Sequence, residues 1–232
     1  MNARRALALF AAYVGTQIAT GIVLGIAIAI ASGGSREALR SGMLLGTPVA
    51  IVVAGAFVFW LTRRMLLAEP DGMRSIGVVR TTPGRQAMAA VVGLALGAFF
   101  VGIVVNLFPL PPEVKLGPVT QAASEGGWKL YMWIVLAIFI APPIEEFVFR
   151  GVLWTGLARS WGPAAAAIVV TALFVALHLL ESGRYPPALA AITVTGLACL
   201  GARVLTGSLA PGIALHMAYN AVIAAGMMRE YG

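Results

Sequence analysis

Ala141-Pro142-Pro143-Ile144-Glu145-Glu146-Phe147-Val148-Phe149-Arg150 places two adjacent carboxylates inside a run that reads as a membrane helix. An ionised acid in hydrocarbon is costly unless it is paired or faces a water-filled cavity, so charge at this depth marks a functional site. Working outward, the only two histidines, His178 and His216, also lie in apolar segments. Two acids, an arginine and two imidazoles within membrane spans have the makings of an active site.

The rest of the chain agrees with a membrane setting. Of 232 residues, 60% are hydrophobic and 11% charged, with a mean hydropathy of +0.92. Soluble domains carry about 25% charged residues. Seven apolar segments can be drawn, at about 6–31, 43–62, 87–110, 130–157, 163–180, 187–205 and 212–228. They predict one all-α membrane domain over 1–232, a polytopic bundle of about seven helices. The first apolar stretch is too long for the h-region of a cleavable signal and is expected to be retained as a span. Cys199, the sole cysteine, reads as a small core residue.

A net charge of +7 raises the question of nucleic acid. The arginines are spread over loops, however, and fit topology signals beside anionic lipid, so no nucleic-acid partner is expected. The link between segments two and three holds Arg63, Arg64, Arg74, Arg80 and Arg85 and is expected to be a solvated basic loop on the cytoplasmic side. Nine basic residues then fall inside and six outside, with Arg150 in a span, and the N-terminus is cytoplasmic in the cell (inner) membrane. The 111–127 link, with Pro111, Pro112, Pro118, Gly126 and Gly127, reads as an irregular outer loop.

Spacing assigns the acids different work. Glu146 and Arg150 are four apart, on one helix face and in the order that favours an ion pair. Glu145 points about 100° away and has no built-in partner. A carboxylate without a partner in a low-dielectric site is suited to act as a general base. Pro142 and Pro143 remove amide donors, which predicts a kink with free carbonyls at Ile138 and Phe139. Unpaired backbone is tolerated in a membrane only where it is buried in protein or lines a wet cavity. Phe174 and His178 share one face, as do His216 and Asn220, and an imidazole with a carboxamide are two donors able to hold an oxyanion.

Glu145-Glu146-x-x-x-Arg150, Phe174-x-x-x-His178 and His216-x-x-x-Asn220, in that order on three segments, resemble the three motifs of the CPBP family. These are intramembrane endopeptidases related to the CAAX prenyl endopeptidase Rce1, also called the Abi family. Leu205-Thr206-Gly207-Ser208-Leu209 is similar to bacterial members of the family, and the myxosortase-like branch is one bacterial group to which the resemblance could extend. The resemblance covers residues 128–225, leaving 1–127 as three generic apolar helices with their loops. It implies that Glu145 activates the attacking water with help from His178, that His216 and Asn220 stabilise the oxyanion, and that Glu146 with Arg150 is a supporting ion pair beside Phe174. It favours no metal cofactor. The alternative is a divalent ion such as zinc on Glu145, His178 and His216, although His-Glu-x-x-His is absent. The family's prototypes carry an eighth helix after the last motif, whereas this sequence ends twelve residues beyond Asn220.

The expected activity is hydrolysis of a peptide bond near a membrane-embedded or lipid-linked segment of a protein or peptide substrate, within the lipid bilayer. Substrate sequence, prenylation and oligomeric state stay open. A catalytically silent scaffold, immunity or regulatory protein is the alternative; intact motifs argue against it. A proton-coupled transporter is a third reading, opposed by the lack of two inverted halves.

One geometric conflict is already visible. If segments five and seven are full spans, His178 stands about 22 Å above the inner end of its helix and His216 only about 6 Å above its own. They meet only if something gives, and the preferred candidate is a Thr206–Gly212 break drawn into the membrane. A shared site requires Glu145 and His178 side chains within about 4 Å, and His216 and Asn220 on the same void within about 8 Å.

Overall fold

A computed structural model shows an all-α bundle, with no strand among the described residues, which are 1–109, 122, 126–179, 182 and 185–231. Among the described residues seven main helices run in order: α1 Ala3–Ala31, α2 Arg36–Leu66, α3 Pro83–Leu107, α4 Gly127–Trp161, α5 Pro163–His178, α6 Pro186–Thr206 and α7 Ala210–Tyr231. Five helices are long and apolar enough to cross a membrane, and Pro163–His178 is a shorter apolar helix. The chain is a multi-pass membrane protein. Most of the expected 111–127 loop lies outside the described residues.

Local chemistry sets the helix ends. Asn2 accepts the Arg5 amide at 3.0 Å, so the first turn of α1 is capped. Pro83, Pro163 and Pro186 open α3, α5 and α6, where the missing N–H is not needed. Gly162 at φ 85° and Gly207 at φ 68° end α4 and α6 in conformations that a side chain resists.

The largest core cluster joins α1, α2, α4 and α5. At its centre Phe149 meets Phe10 and Phe174 edge-on, at centroid distances of 5.6 and 5.1 Å. A second close packing joins α3 to α7. A Cβ on Gly93 would stand 2.1 Å from Leu215 O, and one on Gly97 would stand 2.8 Å from Val222 Cβ. Small residues four apart let membrane helices approach this closely. The third segment is therefore more than a generic span: it backs the helix that carries His216 and Asn220.

The basic link differs from the solvated loop read in the sequence. α2 continues to Leu66, a short 3-10 turn covers Gly72–Ile76, and Ile76 is fully buried in the main core. The apolar residues alternating with arginine account for this, because they need cover once the link folds back. Leu209 N donates to Gly77 O at 2.9 Å and Ser208 Oγ to Val79 O at 2.7 Å, which fastens the link to the α6–α7 break. Ala3 N bonds Ser160 Oγ at 2.9 Å, and Arg5 pairs with Glu69 at 3.4 Å. The N-terminus, the link, the α4–α5 turn and the α6–α7 break thus gather at one end of the bundle.

Candidate active site

The site begins with an irregular helix. Within α4, two π segments, Leu136–Ile140 and Phe147–Leu153, flank the stretch Ala141–Glu146. π turns in a helix recur at functional sites. Here the first has a visible cause. Pro142 and Pro143 supply no amide hydrogen, and Ala141 N donates five residues back, to Leu136 O. Ala137 O is then without a helical donor, since its α-register partner is engaged and its π-register partner is Pro142. Asn220 Nδ2 takes its place at 2.7 Å. Ile138 O has proline at both its α-register and π-register positions and keeps no helical donor, as expected. Ala137 O joins it because the helix runs in the π register at this point.

Glu146 is the anchored acid. Its Oε1 accepts from Arg150 Nη1 at 3.1 Å and from His216 Nδ1 at 3.1 Å, and Glu146 and Arg150 are 0% and 1% exposed. Arg150 Nη2 also donates to Gly196 O at 2.8 Å, and the guanidinium lies 4.3 Å from the Phe174 ring centre. Carboxylate, carbonyl and aromatic face together make burial of the cation tolerable.

Glu145 is the acid left without a close partner. Its Oε2 is buried and, among the described residues, has no hydrogen-bond partner. It stands 3.9 Å from His178 Nε2 and 3.8 Å from His216 Nε2. Both distances exceed hydrogen-bond length and suit groups bridged by one small species. The other ring nitrogens fix the tautomers. His178 Nδ1 lies 2.8 Å from Phe174 O and His216 Nδ1 lies 3.1 Å from the paired carboxylate of Glu146. A carbonyl and a carboxylate only accept, so both Nδ1 atoms carry hydrogen, and in the neutral imidazoles both Nε2 atoms turn a lone pair toward Glu145. Three acceptors converge with no hydrogen between them. A water donating to two of them, or a cation, fits that donor set.

The depth conflict resolves through the break. α5 has 16 residues, about 24 Å, and His178 is its last. Gly151 faces Ile76 O and Leu209, since a Cβ there would stand 3.3 and 3.4 Å from them. The break is thus level with Gly151, roughly 15 Å of helix rise short of the turn at Gly162. α7 starts inset, under the link, and His216 reaches the level of His178. The first N–H groups at its tip are engaged close by. Leu209 N is bonded to Gly77 O, Ala210 N to Ser208 Oγ at 3.2 Å, and Pro211 has none.

Residues 127–222 match the model of the family described as Type II CAAX prenyl endopeptidase Rce1-like. Over that segment the chain is similar to this family. No curated protein and no solved structure matches the chain.

The Rce1-like segment spans α4 to α7 and holds every candidate residue, leaving α1, α2 and α3 outside. Structure adds residues that spacing did not reveal. A Cβ on Gly196 would stand 3.0 Å from Arg150 Nη2, and one on Gly212 would stand 3.1 Å from Glu146 Oε2, so both glycines make room for the ion pair. Cys199 is buried beside Gly212 O at 3.5 Å. Its sulfur lies within 4.8 Å of ligand atoms of Glu146 and His216. That trio is a poor cation cradle, because Arg150 and the His216 N–H already engage Glu146 through Oε1, leaving only its buried Oε2 without a hydrogen-bond partner among the described residues. A glycine's signal is the absence of a side chain, which no residue pattern advertises.

Proposed function

We propose that this Rce1-like protein is an intramembrane endopeptidase that hydrolyses a peptide bond with a water activated by Glu145. The observation that carries the reading is the buried, unpartnered Glu145 Oε2 between two imidazole nitrogens at 3.8 and 3.9 Å. A water bridging these atoms loses its proton to Glu145 as it attacks the carbonyl carbon, and His178 orients it through Nε2. The proton then passes to the departing amine. His216 takes a second proton at Nε2 from bulk water before the attack and donates it to the developing oxyanion, its Nδ1 hydrogen staying on Glu146; that proton returns to water when the products leave. Charge held by preset donors in a dry site is the largest source of rate in acyl transfer.

The same three atoms, Glu145 Oε2, His178 Nε2 and His216 Nε2, have the donor types to hold a divalent cation such as zinc, which would acidify a bound water. We favour the metal-free form. Tetrahedral ligands at about 2.1 Å from zinc sit roughly 3.4 Å apart, and the observed spacings are wider.

The substrate is a membrane-embedded or lipid-linked peptide segment. A cavity of about 730 Å³ borders the site through Pro143 and Ile144, just before Glu145, and is walled by Phe59, Phe147, Leu209 and Ile213. Its apolar walls suit an extended apolar chain, and Arg80, Thr81 and Gln86 give it a polar mouth at the link. The protein sits in the cell (inner) membrane with the N-terminus and link cytoplasmic, so the mouth faces the cytoplasm. The test compares membrane proteomes of cells carrying wild-type protein and Glu145→Ala. Uncleaved precursors should accumulate only with the variant. Indistinguishable proteomes would leave the catalytically silent scaffold as the reading.

A further inference from the structure

The carboxamide of Asn220 spends one of its hydrogens on backbone. Its Nδ2 donates to Ala137 O at 2.7 Å, and that carbonyl needs a side-chain donor only because residue 142 is proline while Ala141 N is bonded to Leu136 O. We infer that Asn220 is a positioning residue: it locks the π register of α4 and so fixes where Glu145 points, with Pro142 creating the acceptor it holds. The inference rests on the endopeptidase reading for its catalytic consequence.

The register matters because a π turn carries one extra residue. Were Ala137 O to recover Ala141 N in the ordinary α register, one half of α4 would rotate about 100° against the other. Glu145 would then leave the two Nε2 atoms, and Glu146 would leave His216 Nδ1. Asn220 is one turn beyond His216 on α7, so its grip on Ala137 and the His216 contact with Glu146 hold the same pair of helices at successive points. A neighbouring helix supplying the missing donor is the general means by which proline is accommodated in a membrane span. Asn220 is half-buried, and of the two hydrogens on its carboxamide nitrogen the π-turn carbonyl takes one.

The test is a four-protein cycle in detergent: wild type, Asn220→Ala, Pro142→Ala and the double variant. Melting temperature is the first readout. Cleavage of the precursor that accumulates in Glu145→Ala cells is the second. Asn220→Ala alone leaves Ala137 O unpaired, and the expected loss is roughly 2–4 °C in melting temperature and on the order of a hundredfold in cleavage, the usual cost of misplacing a catalytic group. Pro142→Ala restores a peptide N–H to that carbonyl while Pro143 keeps the bend. Against that background Asn220→Ala should lose little in either readout. Rescue of cleavage by a substitution that touches no substrate is something an oxyanion donor does not show. If Asn220→Ala costs the same cleavage in both backgrounds, or if its melting loss is undiminished by Pro142→Ala, the inference is overturned. Should no precursor be cleaved even by wild type, the endopeptidase reading fails, while the melting cycle still reads the clamp.

Discussion

Glu145 and Glu146 are joined by one peptide bond and live in different chemistry, because about 100° of helix rotation separates them. Glu146 turns into Arg150 and His216, while Glu145 turns toward two lone pairs. Glu145→Gln keeps the shape and removes only the proton acceptor. Cleavage of the accumulated precursor should fall by about a hundredfold or more with the melting curve unchanged; near wild-type turnover would remove Glu145 as base. Glu146→Gln and Arg150→Ala should instead cost stability, about 3–5 kcal/mol, since each leaves a buried partner uncompensated. Normal abundance and melting with loss of turnover alone would make that pair catalytic. Exhaustive chelation should leave cleavage intact, and activity that vanishes with chelator and returns with zinc would move Glu145, His178 and His216 to ligand roles. Of this site, the ion pair was legible from its i, i+4 spacing alone. The meeting of Glu145 with two histidines was legible only through the resemblance of three motifs, as residues far apart in sequence carry no spacing to each other. The target of Asn220 was not legible, because it depends on a π register that a 3.6-residue period does not describe.

At the scale of elements, α7, which carries His216 and Asn220, is placed by partners outside the Rce1-like segment. α3 meets it through Gly93 and Gly97, and the link pins its start through Gly77 and Val79. Hydropathy revealed α3 as a span and stopped there, since a helix that packs closely against another in a membrane shows itself by small residues rather than by an apolar face. The link was misread for a related reason: its arginines dominate the charge count, while the apolar residues between them decide its fold. Gly93→Val tests this packing. With only 2.1 Å to Leu215 O, a side chain forces α3 and α7 apart, and overpacking of this kind typically costs about 1–3 kcal/mol. Membrane abundance or melting temperature should drop, together with cleavage, because His216 and Asn220 move with α7. Gly84→Ala, in the same helix with nothing within 4 Å of the added carbon, is the control and should be neutral. Equal behaviour of the two variants would remove α3 as a support of the site.

For the molecule as a whole, one end collects the N-terminus, the link, the α4–α5 turn and the α6–α7 break, and nine basic residues lie on these segments. Within that end the parts stand at different depths. Arg159 and Ser160 are exposed near Gly162, whereas Ser208 is fully buried, level with Gly151 and roughly 15 Å further in. A largely apolar cavity lies beneath the link and borders the acids through Ile144, and under the endopeptidase reading it is the approach for a membrane-borne chain. Single cysteines in a Cys199→Ala background make this measurable with a membrane-impermeant maleimide on sealed vesicles. Arg74→Cys and Arg159→Cys should label from the same face, the cytoplasmic one by the positive-inside rule, and Lys129→Cys only from the other. Ser208→Cys should resist reagent from either face until the membrane is dissolved and the link loosened by denaturant. If Ser208→Cys instead labels as fast as Arg159→Cys, the break lies at the surface, α7 is not inset, and His216 could not stand level with His178 in the bilayer. The shared site would then require a tilted bundle, and a peptide bond would have to be delivered at the membrane face rather than beneath it.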